Sequence, residues 1–500
     1  MILGGRVRFT AAGRALRHRN FRLFFFGQLI SVTGTWMQTL ALGWLIGTLV
    51  GWDQAVVYIG LLGAVQFMPV LVLGLFGGII ADVWPKRMTV IGTQTAAGLL
   101  ALSLGGLVYF HVVAVWHVFV LAFLLGLVNA VDMPARQSFV VEMVGRDDVA
   151  NAIALNSAVF NSARIVGPAI AGVLIGVLGT ALCFVLNGLS YGAVVISLLA
   201  MRDSELRPAD RLAMPRSLTA IRANLGEGLR YVWHTPVVLL VIAVIGFVST
   251  FGMNFNVVLP VMAANVLKVG ANEYGILFAS MGAGALIAAL AVATLERPRL
   301  RVLIGGGMVL GVAELVLAST TSYPVALAAV FFCGVGAIAT AASANSLVQI
   351  TVPGPLRGRV MSVYTTLSVG STPIGNGLTG GVGGLWGTPV ALVLNGAVVL
   401  AAEAVAAVAV LRGYVRLGGG RGDGSAKPAR AASTRVAGVF KGWGGTATLL
   451  YTYLEVNFSP PADGPAELDP QPPPAPLWRG DGTQGPWLEG QFPDAAKRYV

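Results

Sequence analysis

Charge is scarce in this chain. Only 11% of its 500 residues are Asp, Glu, Lys or Arg, against 56% hydrophobic. Soluble domains carry about a quarter charged residues, so an ordinary water-soluble protein is excluded. Cysteine is scarcer still. Cys183 and Cys333 both lie in apolar runs, which implies no disulfide framework. His18, His111, His117 and His234 offer no paired metal ligands, so neither a metal site nor any other cofactor is expected. No Gly-x4-Gly-Lys-Ser/Thr loop is present to drive a built-in ATP motor. Gly188, Ser190 and Gly192 match the spelling of a hydrolase elbow, but they fall inside an apolar run instead of a strand–turn–helix. An enzyme is not the expectation.

What the chain has in abundance is long apolar segments. About twelve windows of about 20 residues recur between positions 21 and 411. This predicts an all-α polytopic membrane protein. The net charge of +11 would suit nucleic acid, but the location of the basic residues excludes that partner. They cluster before the first span, at Lys86 and Arg87, at Arg136 and Arg146, between Arg202 and Arg230, at Arg297 to Arg301, and at Arg357 and Arg359. Every second loop is basic, and the loops between hold little beyond Asp53, Lys268 and Glu273. The positive-inside rule then puts both termini in the cytoplasm of a multi-pass protein of the cell membrane. The first apolar segment lacks a small-residue cleavage site and reads as a retained span, not a signal peptide.

Composition divides the chain into a basic N-terminus (1–20), a six-helix half (21–201), a linker (202–235), a second six-helix half (236–411) and a tail (412–500). The linker ends in Leu218, Ile221, Leu225, Leu229 and Val232 at helical spacing among arginines, a pattern for an amphipathic helix on the membrane surface. The tail is rich in Gly and Pro and is expected to be disordered and cytoplasmic. The halves share an order of features: Gly167 and Pro168 in span five answer Thr372 and Pro373 in span eleven. Parallel halves are a transporter architecture with substrate bound between them near mid-membrane.

Polar residues inside spans are the site candidates, because they usually face a bundle interior or a wet cavity. Span one carries Gln28, Trp36 and Gln38. Span four is expected to end near Val131, followed by a charged turn from Asn129 through Asp132 to Arg136. Span five places Arg164 beside Gly167, Pro168 and Gly172. Asp132 and Glu142 are the nearest acids in sequence for Arg164, which reads either as a structural ion pair near the interface or as a binding residue. Asn254, Asn256 and Asn345 are the second half's counterparts. Glu314 and Glu403, inside spans nine and twelve, are candidate proton carriers.

The turn between the second and third spans carries Gly78, Asp82, Lys86 and Arg87. That spacing resembles the loop between spans two and three of the major facilitator superfamily, with Val83 and Pro85 where a base and a glycine are usual. The resemblance implies a cytoplasmic gate in which Asp82 faces the start of span eleven, around Arg359 to Ser362. Stretches at 20–24, 34–38, 132–137, 228–232 and 356–362 look like the branch of enterobactin exporters and macrolide efflux pumps. Together these cover residues 16 to 411. Residues 167–172 resemble the span-five antiporter motif, with Ala171 replacing a glycine, and favour export. The span-four arginine common in proton-coupled drug exporters is Ala122 here. In this superfamily spans one, four, seven and ten line the route, which implicates Gln28, Trp36, Gln38, Asn129, Asn254, Asn256 and Asn345. The expectation is a monomeric secondary active exporter of a small drug-like or siderophore-like molecule, driven by an ion such as the proton. Import, or a sensor or scaffold acting through the tail, are the alternatives.

Overall fold

The computed structural model describes residues 11–145, 147–207, 218–295 and 299–413, without the side chains at 11–12, 74–83, 218–225 and 355. Among them there is helix and no strand. The first half comprises α1 (Arg19–Val50), α2 (Trp52–Val83), α3 (Lys86–Tyr109), α4 (Val115–Val144), α5 (Val149–Leu178) and α6 (Thr180–Leu199). A helix in the linker, α7 (Leu218–His234), leads into the second half. That half is α8 (Pro236–Phe251), α9 (Phe255–Val261), α10 (Ala271–Ala293), α11 (Leu300–Ser319), α12 (Tyr323–Thr351), α13 (Gly354–Ser368), α14 (Thr372–Trp386) and α15 (Thr388–Leu411). The tail expected at 412–500 lies outside the described residues beyond 413.

Among the described residues eleven crossings are long and apolar enough to span a membrane, with α8, α9 and a π-turn at Met262–Val266 forming one of them. The twelfth is broken. Its two pieces, α13 and α14, have 15 residues each and are separated at 369–371. Proline opens α14, where a missing N–H is tolerated, and Gly375 N–H closes the first turn on Ser371 O at 2.9 Å. Span five behaves differently: α5 runs unbroken through Pro168. Thr235 precedes α8 in extended backbone but makes no side-chain cap bond.

The internal repeat is visible in the connections. Gly179 joins α5 to α6 at φ 80°, and Gly387 joins α14 to α15 at φ 89°. A single left-handed residue turns the chain through each corner, a conformation that costs glycine nothing.

Within the first half α1 packs on α5 and α6, and α3 packs on α6 and α4; in the second, α12 packs on α10 and α11, and α11 on α15. The halves meet along two seams, α5 with α10 and α2 with α14. Both seams are built from small residues that let backbones touch. A Cβ on Gly172 would lie 2.9 Å from Gly275 Cα, and one on Gly380 would lie 3.0 Å from Gly60 Cα. These contacts sit toward the face where α1 turns into α2. There Trp44 stacks on Tyr274 at 5.7 Å and meets Trp52 at 4.9 Å, closing that end with aromatic rings.

The N-terminal segment is clamped on the opposite, basic face. Asp148, buried between α4 and α5, accepts His18 Nε2 at 2.8 Å and Arg17 Nη2 at 2.7 Å, with Arg14 at 3.3 Å. The hydrogen bond from His18 holds its carboxyl below the ordinary 3.8, burial opposes this, and Arg17 and Arg14 add to the lowering. A depressed carboxylate contributes stability that is complete above its ordinary pKa and is lost as pH falls through the lowered value.

Two outcomes are expected. Gly172→Leu should push α5 from α10 and cost about 1–3 kcal/mol, read as an earlier thermal transition in detergent. Gly176→Leu on the same helix meets nothing within 4 Å and should be close to neutral. Asp148→Asn should release the N-terminal segment, seen as faster amide exchange around 14–18, whereas exposed Asp147→Asn should not.

Candidate functional site

The superfamily-like motif is anchored within the first half. Lys86 Nζ bonds Glu142 Oε1 at 2.8 Å, tying α3 to α4. Arg87 donates to the carbonyls of Leu198 at 2.9 Å and Leu199 at 3.2 Å and pairs with Asp203, tying α3 to the end of α6. Gly78 and Asp82 belong to α2, but their side chains fall outside the description, so the expected approach of Asp82 to span eleven does too. Arg359 pairs with Glu227 of α7, and Gly228 packs against the Arg359 backbone. Arg357 is exposed.

The expected charged turn at Asn129 to Arg136 is not a turn. Asp132 and Arg136 lie inside α4, which continues ten residues past Pro134 to Val144. One proline removes a single backbone bond, and Asp132 is neutralised one turn away by Arg136 Nε at 3.2 Å, so nothing forces the helix to stop. Asp132, 2% exposed, also accepts Thr93 Oγ1 at 2.7 Å and Gln94 Nε2 at 2.9 Å from α3. Arg136 Nη1 reaches Gln28 Oε1 on α1 at 3.0 Å. A buried acid is thus fully bonded within one three-helix network.

That network also overturns the pairing expected for Arg164. Asp132 belongs to Arg136 and Glu142 to Lys86, and no acid among the described residues reaches Arg164. Its guanidinium carbon instead lies 5.5 Å from the centroid of the Trp36 ring, and its Nε is buried without a hydrogen-bond partner. Trp36 in turn meets Phe160 edge-on at 5.5 Å. Gly167 lets α1 come this close: a Cβ there would strike Thr33 O and Trp36 Cβ at 2.7 Å.

The other lining candidates are distributed unevenly. Gln38 is buried and accepts Asn187 Nδ2 at 2.6 Å between α1 and α6. The space beside it, bounded by Leu42, Gln66, Leu104 and Leu125, is about 10 Å³, the limit for one water. Asn254, at the break between α8 and α9, donates to Thr379 Oγ1 at 3.0 Å, and Asn395 donates to the same oxygen at 3.2 Å. Gly375 of α14 backs directly onto this break, so the interruptions of spans seven and eleven adjoin. Asn345 is bonded to Gln349, Asn129 is half-buried and Asn256 is exposed. Sequence reasoning missed Asn187, Thr379 and Asn395. Their signal was the same as for the residues it chose, a lone amide or hydroxyl in an apolar run.

Glu314 and Glu403 lie between α11 and α15, 1% and 0% exposed. Each faces a glycine of the other helix: Glu403 lies against Gly307, and a Cβ on Gly396 would lie 3.2 Å from Glu314 Cβ. Glu314 Oε2 and both Glu403 oxygens are buried without a hydrogen-bond partner. They belong to the interior of the second half, away from both seams.

Comparison with known proteins follows the same lines. The family model described as transmembrane secretion effector matches residues 10–416. The multidrug efflux pump Tap of Mycolicibacterium fortuitum is 30% identical over 376 residues, 72% of this chain and 88% of the pump. The enterobactin exporter EntS of Shigella boydii is 24% identical over 75% of this chain and 87% of its own. The staphyloferrin A transporter of Staphylococcus aureus is 26% identical over 54% of this chain and 66% of its own. Among solved structures, a bacterial homolog of the human lysosomal transporter Spinster, inward-facing and unoccupied, superposes with a TM-score of 0.65 at 14% identity. It covers 79% of this chain and 98% of its own. A bacterial homologue of the iron transporter ferroportin gives 0.56 at 18% identity, over 79% of this chain and 98% of its own. The protein is a transporter and not an enzyme: it belongs to the transmembrane secretion effector family of the major facilitator superfamily.

Proposed function

We propose that the protein is a secondary active exporter of a small amphipathic molecule, working by alternating access across the cell membrane. The observation that carries this reading is the pair of small-residue seams, α5 on α10 and α2 on α14, along which the halves meet. Two rigid halves joined along glycine contacts can rock with little repacking, and a route between them then opens to one side at a time. The basic face is cytoplasmic on this reading, by the alternation of charged loops. The direction is supported by Tap and EntS, which are named as an efflux pump and an exporter. Asp82 would latch the cytoplasmic side by taking Arg359 from Glu227 as α13 swings toward α2, with Lys86 and Arg87 keeping the first half rigid. Glu314 and Glu403 are the candidates for coupling to protons. An unpaired carboxylate in such a place is costly, and an intramembrane carboxyl is a functional candidate by default.

The test is efflux from cells carrying the intact chain, over a panel of a catecholate siderophore, a macrolide and a cationic dye, with and without a protonophore. Protonophore-sensitive export of one class is expected. Export of nothing by folded, membrane-inserted protein would remove the reading, and loss of function on deleting 421–500 alone would favour a scaffold acting through the tail. At matched expression Asp82→Asn should slow efflux at least severalfold; unchanged efflux would sink the latch. Glu403→Gln or Glu314→Gln should abolish the protonophore sensitivity if that residue carries the proton, and full retention in both would assign the coupling elsewhere.

A further inference from the structure

Arg164 sits at the middle of α5 and on the inner side of that helix. It lies 15 residues after Val149 and 14 before Leu178, the ends of α5. The exposed apolar stripe of α5 runs through Val166, Ile170, Val173 and Val177. At 3.6 residues per turn Arg164 falls on the opposite side, with Asn161, Pro168 and Gly172, the side that meets the second half. Its side chain therefore points away from the lipid-facing stripe.

Among the described residues no acid compensates its charge. Asp132 is held by Arg136, Glu142 by Lys86, and Asp148 by Arg14, Arg17 and His18. Glu227 is held by Arg359, while Glu314 and Glu403 are enclosed between α11 and α15. The guanidinium makes no hydrogen bond or ion pair with any described residue, only its contact with the face of Trp36. An indole face steadies a guanidinium while leaving its edge donors free, the arrangement suited to gripping a planar anion by two hydrogen bonds. Next to it, one turn toward the basic face, Phe160 is half-exposed and edge-on to Trp36, giving an apolar wall beside the cation.

We propose that Arg164, stacked on Trp36 between α1 and α5, is the anion-binding element of the transport site, and that the transported molecule carries an acidic group beside an apolar or aromatic body. The inference rests on the transporter reading above and names its substrate class. The acid would complete the pairing that no described residue supplies, and a permanently cationic solute would be repelled by the guanidinium.

The experiment uses three amphiphiles that share one naphthalene ring and end in a carboxylate, a primary amide or a quaternary ammonium. Binding to the purified full chain in detergent is read first. The wild type should bind the carboxylate tightest, by roughly ten- to hundredfold over the amide. Arg164→Gln should level the three, and Arg164→Lys, which keeps the charge but loses the planar fork, should retain part of the preference. Wild-type preference needs no variant, so a misfolded Arg164→Gln does not remove the test. Equal binding of amide or ammonium by the wild type, or an undiminished preference in Arg164→Gln, overturns the proposal. Accumulation of the same probes in inside-out vesicles separates the two readings. Arg164-dependent carboxylate binding without any accumulation keeps the site and removes export. Accumulation of the ammonium probe, unchanged in Arg164→Gln, keeps export and removes the substrate class.

Discussion

Inside a bilayer no water is at hand to solvate a charge, so each ionised side chain must find its counterpart within the protein. Asp132 inside α4 meets this constraint, and the charges at the basic face of the first half are paired as well. Lys86 is tied to Glu142, Asp132 to Arg136, Thr93 and Gln94, and Asp148 to three basic groups of the N-terminal segment. These bonds join α3 to α4, α4 to α1, and the N-terminus to the connection between α4 and α5, so the first half behaves as one braced body. Arg164 is the departure. Among the described residues its guanidinium has an aromatic face and no acid, which is what the proposed substrate anion would answer.

The halves are joined by a different physics. Along α5–α10 and α2–α14 there is little polar bonding and much backbone contact, because glycine at 60, 172, 275 and 380 removes the side chains that would hold the helices apart. Dispersion over such flat surfaces tolerates a small rotation better than interlocked large side chains do. The second half adds two interrupted crossings, whose breaks at 252–254 and 369–371 adjoin through Gly375. Bracing within a half, smooth contact between halves and local breaks in two crossings are the features that the proposed rocking of the halves would use.

Much of the fold was legible from the residues in order. Apolar run length is matched to bilayer thickness, so the crossings and their number could be counted, and basic loops marked one face. Span eleven is interrupted just before Thr372 and Pro373, yet the corresponding proline at 168 leaves α5 intact. Whether a proline breaks a crossing depends on what packs beside it, and α5 is pressed against α1 at Gly167 and α10 at Gly172. The turn expected at Asp132 failed for a related reason: charge and proline look alike on paper whether a helix ends or is bonded sideways.

The sequence by itself determined the membrane class, the two-half plan and the family, because these depend on composition and spacing along one dimension. Only the tertiary structure decided which polar residue serves which purpose. Gln38 is taken up by Asn187 and Asn254 by Thr379, while Arg164 meets no acid among the described residues. The physical reason is angular: neighbours on one helix are separated by about 100°, and the partner that consumes or spares a side chain comes from another helix far away in the chain.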